Sequence, residues 1–121
     1  MSVAFTEQAV RDRIKTVTRR KGWWEDKNGR RILKPGDRIT LCRKVMGRKP
    51  GEPLERICEV EVVSIRRESL AAIDYAEVCC EGFPGMQPSE FIRRYFEEAQ
   101  GMSSADMVTR IEWRYLDGGE R

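Results

Sequence analysis

Apolar residues recur with a helical period in two stretches of the chain and with a two-residue period in three. In residues 6–14, Val10 and Ile14 share a face at a spacing of four, Thr6 stands where an N-cap would, and Glu7 falls in the first turn, which predicts a short helix. In residues 88–99, Pro88 opens a second amphipathic segment with Phe91, Tyr95 and Phe96 on one side, and Gly101 ends it. Alternation is strictest over residues 107–116, where Met107, Thr109, Ile111, Trp113 and Tyr115 face one way and Arg110, Glu112 and Arg114 the other. Over residues 56–66, Cys58, Val60 and Val62 alternate with Glu59 and Glu61; over residues 38–45, Ile39 and Leu41 alternate with Thr40 and Cys42. These three segments are predicted strands. Residues 15–20 read as extended with Val17 inward, and a short helix is expected within residues 69–80, ending near Gly82. Residues 21–37 hold Asn28-Gly29 and Pro35-Gly36 and read as irregular chain with turns, and residues 46–55 as a Gly/Pro-rich connection. Strands predominate. The expected fold is α+β and mainly β, a small curled sheet or barrel with two or three helices covering its openings.

The 121 residues fit one domain. No apolar run approaches about 18 residues and no charged-then-apolar leader opens the chain, so neither a membrane span nor a secretory signal is expected. The four cysteines, Cys42, Cys58, Cys79 and Cys80, include no Cys-x-x-Cys pair. They read as reduced thiols of a cytoplasmic protein, with no metal site and no cofactor expected. Histidine is absent. That excludes Ser-His-Asp and Cys-His catalysis and every His-ligated metal, and leaves acid–base work to Lys, Glu, Asp, Cys or Tyr.

Charge is unevenly spread. Residues 1–50 carry 15 basic and 5 acidic side chains, and residues 51–121 carry 8 and 15. A basic half points to a polyanionic partner, because Lys and Arg that neutralise phosphates release condensed counterions. The alternative is that the acidic half folds back and pairs with it. Trp23 and Trp24 follow Arg19, Arg20 and Lys21 and precede Arg30 and Arg31. Cations interleaved with aromatics suit single-stranded nucleic acid; the competing reading has one Trp plugging the end of a barrel. Arg66 is a candidate for the same basic rim or for a solvated face.

The segment K-T-V-T-R-R, residues 15–20, concentrates the possible chemistry. In an ideal strand Lys15 and Thr18 lie on opposite faces, so a twist, bulge or turn must bring them together. The same segment opens an ordered set of pieces: L-K-P-G-D at residues 33–37, V-E-V-V-S-I-R-R-E at 60–68, E-G-F-P-G at 81–85, E-F-I-R-R-Y-F at 90–96, then the final alternating strand. In this order the set resembles the ASCH domain, a branch of the PUA-like β-barrel superfamily, over roughly residues 6–116. The family signature Gly-x-Lys-x-x-Glu-x-Arg, aligned at Lys15 and Arg20, places Arg13 at its Gly and Thr18 at its Glu. Thr at that position is shared with the branch that removes the acetyl group from N4-acetylcytidine.

The resemblance implies recognition of RNA, single-stranded nucleic acid or a modified nucleoside through a basic cleft. It also implies that Lys15, Thr18 and Glu81 form a catalytic set if the domain is an amidohydrolase. In that chemistry a lysine whose pKa is lowered by burial and by Arg19 and Arg20 activates the Thr18 hydroxyl against an amide carbonyl. Glu81 serves the leaving amine and Arg20 the developing charge. The candidate binding residues are Arg19, Arg20, Lys21, Trp23, Trp24 and Arg66. A non-catalytic RNA- or single-stranded-DNA-binding module, or an interaction module, is the alternative function. The residues alone also admit a bland reading: a helix-end lysine, a strand threonine and a paired glutamate. The sequence leaves the oligomeric state open.

Overall fold

The computed structural model describes residues 1–45 and 47–116. Four strands, β1 (Val17–Arg20), β2 (Arg38–Cys42), β3 (Arg56–Ser69) and β4 (Met107–Tyr115), form one antiparallel sheet in the order β1-β4-β3-β2. The sheet is curled into half a barrel. Its open side is bridged by the N-terminal residues: Ser2 pairs in parallel with Cys42, Val3 N–H donates to Cys42 O at 2.9 Å, and Arg20 Nη2 of β1 donates to Ser2 O at 2.7 Å. Three short helices complete the fold: α1 (Glu7–Arg11), α2 (Tyr75–Cys80) and α3 (Pro88–Ile92), the last continuing as a π-helical segment, Arg93–Glu98. This is the small α+β architecture expected, open along one side rather than closed.

Two bulges refine the predicted strand faces. Register shifts between Val62 and Ser64, which leaves Val63 exposed and flips the parity of the strand. Val60, Val62 and Ile65 therefore all meet the inner core, and β3 runs three residues past its predicted end. A second shift between Leu41 and Cys42 buries both, so Cys42 does not oppose Leu41 as strict alternation would have it. The inner core gathers Val3, Val10, Leu33, Ile39, Leu41, Val60, Val62, Ile111 and Trp113.

The outer face of β4 is covered as well. Val108 packs with Leu70, Ile73, Val78, Phe91, Ile92, Phe96 and Met102 in a second core beneath α2 and α3. Arg110, which the alternation assigned to a polar outer face, is consequently buried and ion-paired there. Phe91 and Phe96 both point into this core, 5.6 Å apart between ring centroids. A spacing of five brings two side chains to one face only when the helix is underwound, which accounts for the π-helical segment.

Candidate functional site

Two helix ends bring the site together. Helix α1 stops in a Schellman turn: Arg13 N–H donates to Val10 O and Ile14 N–H to Ala9 O, with Arg13 at φ 60°. The helix is thus shorter than predicted. Ile14 is left exposed, and Thr6, buried at the helix start, makes no side-chain cap. Arg13, aligned with the Gly of the signature, holds a left-handed φ, which glycine adopts most readily. Here the arginine occupies it and lies over the Tyr115 ring at 5.0 Å.

Helix α2, capped at its start by Asp74, ends in the same turn. Gly82 N–H donates to Cys79 O and Phe83 N–H to Val78 O, and Gly82 sits at φ 106°. The two turns lie back to back. A Cβ on Gly82 would come 3.0 Å from Ala9 Cβ and 3.5 Å from Lys15 Cβ. Thr16 N–H donates to Cys80 O at 2.8 Å, locking the two chain segments. Lys15, two residues past one turn, and Glu81, one residue before the other, therefore meet although 66 positions separate them.

Lys15 Nζ donates to Glu81 O at 2.7 Å and to Glu81 Oε1 at 3.1 Å. Glu81 Oε2 accepts from Arg19 Nη1 at 3.1 Å. Lys15, Glu81, Arg19 and Thr18 are all at least 96% buried. The Lys15 carbonyl accepts from Trp113 Nε1 at 3.1 Å and from the Tyr115 hydroxyl, so the lysine is held at both ends. Burial lowers the Lys15 pKa below the usual lysine value against the pull of Glu81. Burial likewise raises the Tyr115 hydroxyl to about 12. Thr18 Oγ1 accepts from Arg20 Nε at 3.2 Å; among the described residues no hydrogen bond joins it to Lys15.

Arg19 anchors a second layer of charge. Its guanidinium donates to Glu68 at 2.9 Å and to Glu77 at 2.6 Å, and Glu77 also receives Arg110 Nε at 2.7 Å. The hydrogen bond from Arg110, against some burial, draws the Glu77 carboxyl down to about 2. Some basic residues of the first half are thus paired with acids of the second, with Arg43 on Glu55, Arg11 on Glu55 and Lys44 on Glu52 as further cases.

Lys15, Thr18, Arg19, Arg20, Lys21 and Glu81 line one cavity of about 480 Å³ beside the β1 edge. Its opposite wall is aromatic, from Phe83, Phe91, Tyr95 and Phe96, with Phe5 at its mouth. Trp23, Trp24 and Arg66 lie outside it. Trp23 packs against the inner core, as the plug reading had it. Trp24 is covered by Arg31, whose guanidinium lies 3.3 Å from the ring centroid, and Arg66 pairs with Glu68 on the outer face. The sequence reading missed the aromatic wall as a site feature and missed Phe5 altogether. Phe91, Tyr95 and Phe96 read in the sequence only as the apolar side of a helix, and Phe83 only as part of the E-G-F-P-G piece.

Neither a family model nor a curated protein matches this chain. Two solved structures share its fold. One is a protein of Enterococcus faecalis V583 carrying the family designation DUF984, with a TM-score of 0.67 and 9% identity over 93% of this chain and 70% of that one. The other is an ASCH domain from Lactobacillus crispatus JV V101, with a TM-score of 0.62 and 12% identity over 95% of this chain and 75% of that one. No described helix is long and apolar enough to cross a membrane. The half-barrel, its order of elements and these two likenesses together give the chain the ASCH-type fold.

Proposed function

We propose that the cavity binds a nucleobase, and that the protein recognises RNA or a modified nucleoside through it. The observation that carries this reading is the division of the cavity into two walls. A planar heteroaromatic ring needs an apolar face to stack on and a polar edge to bond to. Phe83 and Tyr95 supply the first, and Lys15, Thr18, Arg20 and Glu81 supply the second. The volume of about 480 Å³ suits a ligand of nucleoside size. Isothermal titration with N4-acetylcytidine and the four unmodified ribonucleosides tests it. Saturable binding of at least one, weakened at least tenfold in Arg20→Ala, is expected; no binding to any of them overturns it.

Lys15 favours a second, catalytic reading, hydrolysis of an exocyclic amide such as that of N4-acetylcytidine. Its amine is buried, with its pKa lowered by that burial, and Lys15 and Thr18 line the same cavity. As a neutral amine it would take the Thr18 hydroxyl proton while Oγ1 attacks the acetyl carbonyl. The lysine ammonium would then return that proton to the leaving nitrogen as the C–N bond breaks. Water would release acetate from the threonine ester by the same relay, regenerating both side chains. Glu81, expected to serve the leaving amine, instead accepts from Lys15 and Arg19 and orients the lysine, and Arg20, already donating to Thr18 Oγ1, offsets charge on the oxygen. Cytidine release should rise with pH as Lys15 loses its proton, level off below the ordinary lysine value, and vanish in Lys15→Ala and Thr18→Val. Release unchanged in either variant, or none from the wild type, removes the catalytic reading while leaving binding to the titration.

A further inference from the structure

We infer that the ligand is a nucleotide within a single strand rather than an isolated nucleoside, with Phe5 stacking the neighbouring base and Lys21 meeting the intervening phosphate. This rests on the nucleobase reading of the cavity. Phe5 stands on the 3-10 turn Ala4–Thr6 and is 83% exposed, the most exposed of the large apolar side chains described. Folding gains little from it, since an exposed ring keeps most of its surface in water. It nevertheless lines the cavity mouth, 6.0 Å from the Tyr95 ring, itself 4.8 Å from Phe83 inside. The aromatic surface therefore runs continuously from the interior to the outside.

A base seated on the inner rings leaves Phe5 as a platform beyond it, at the place a flanking base must occupy. Lys21 is at the same rim and exposed. Among the described residues its ammonium forms no ion pair, whereas Lys15 and Arg19 are spent on carboxylates. A stacking ring and an uncommitted cation at one opening are what two consecutive nucleotides require, and neither is of use to a nucleoside held wholly inside. The chemistry is shared by RNA and single-stranded DNA.

The test compares wild-type protein, Phe5→Ala, Phe5→Trp and Lys21→Ala by titration. The ligands are N4-acetylcytidine, the four ribonucleosides, and the corresponding homotrinucleotides in ribo and deoxy form. Wild type should bind a trinucleotide more tightly than its nucleoside. Phe5→Ala should lose about 5- to 150-fold on the trinucleotide, the equivalent of about 1–3 kcal/mol per stacked base. It should leave nucleoside affinity unchanged, and Phe5→Trp should keep trinucleotide affinity. Lys21→Ala should weaken the trinucleotide and flatten its salt dependence. A preference for one sugar series assigns the strand as RNA or DNA within the proposal. Equal affinity for nucleoside and trinucleotide, or a Phe5→Ala loss equal on both, overturns the inference while leaving the nucleobase reading standing. Failure of every ligand to bind overturns both. Phe5 is exposed, so melting temperatures within error of wild type should accompany each result.

Discussion

Two residues with positive φ decide where the lysine and the glutamate of the cavity point. Gly82 at φ 106° strains any side chain and leaves it little room, because a Cβ would come 3.0 Å from Ala9 Cβ. Gly82→Ala should therefore destabilise the fold by about 1–3 kcal/mol, read by urea denaturation, and loosen the Lys15–Glu81 contact with it. A variant as stable as wild type would mean that the two turns are not packed back to back. Arg13 at φ 60° accepts a strain of about 1–2 kcal/mol that glycine would relieve, offset in part by its contact with Tyr115. Thermal melts should place Arg13→Gly at or above wild type and Arg13→Val clearly below both, since a β-branched residue tolerates that backbone least. Equal losses in the two variants would contradict it. At this scale the sequence was informative where a type of residue carried the signal. Lys15, Thr18 and Glu81 were marked by their order and by the resemblance. Phe5 was not, because a single apolar residue ahead of a short helix carries no period.

Helix α2 is held to the sheet by charge as well as by Val78. Glu77 receives Arg110 and Arg19, and its carboxyl is lowered from the ordinary 4.5 to about 2. A carboxylate depressed on folding stabilises the protein fully above its unfolded value and loses that contribution as pH falls through its folded one. Wild-type stability should thus decline between about pH 4.5 and 2 more steeply than that of Glu77→Gln, measured by denaturation at a series of pH values. Parallel curves would show the pairing to be without effect on folding. The strands themselves were readable from alternation, because a two-residue period follows directly from backbone geometry. What alternation could not give was the bulge at Val63, the burial of Arg110 or the π-helical segment. Each depends on which element lies across from it, and that is a property of the tertiary packing.

Over the whole molecule, part of the contrast between a basic and an acidic half of the sequence is taken up by internal pairing. Arg19 alone meets Glu68, Glu77 and Glu81. A part of the lopsided charge is thus a folding device, one of two alternatives the sequence left open because chain halves are not spatial halves. The tryptophan pair likewise separates, Trp23 packing against the core and Trp24 beneath Arg31. The central claim remains that the cavity between the β1 edge and the π-helical segment is where a base is held. Amide NMR of isotope-labelled protein titrated with N4-acetylcytidine tests it most directly. Saturating shifts centred on Lys15, Thr18, Arg20, Gly82 and Tyr95 are predicted. Shifts confined to the loop around Trp24 and Arg31, or none with ligand in millimolar excess, would contradict it.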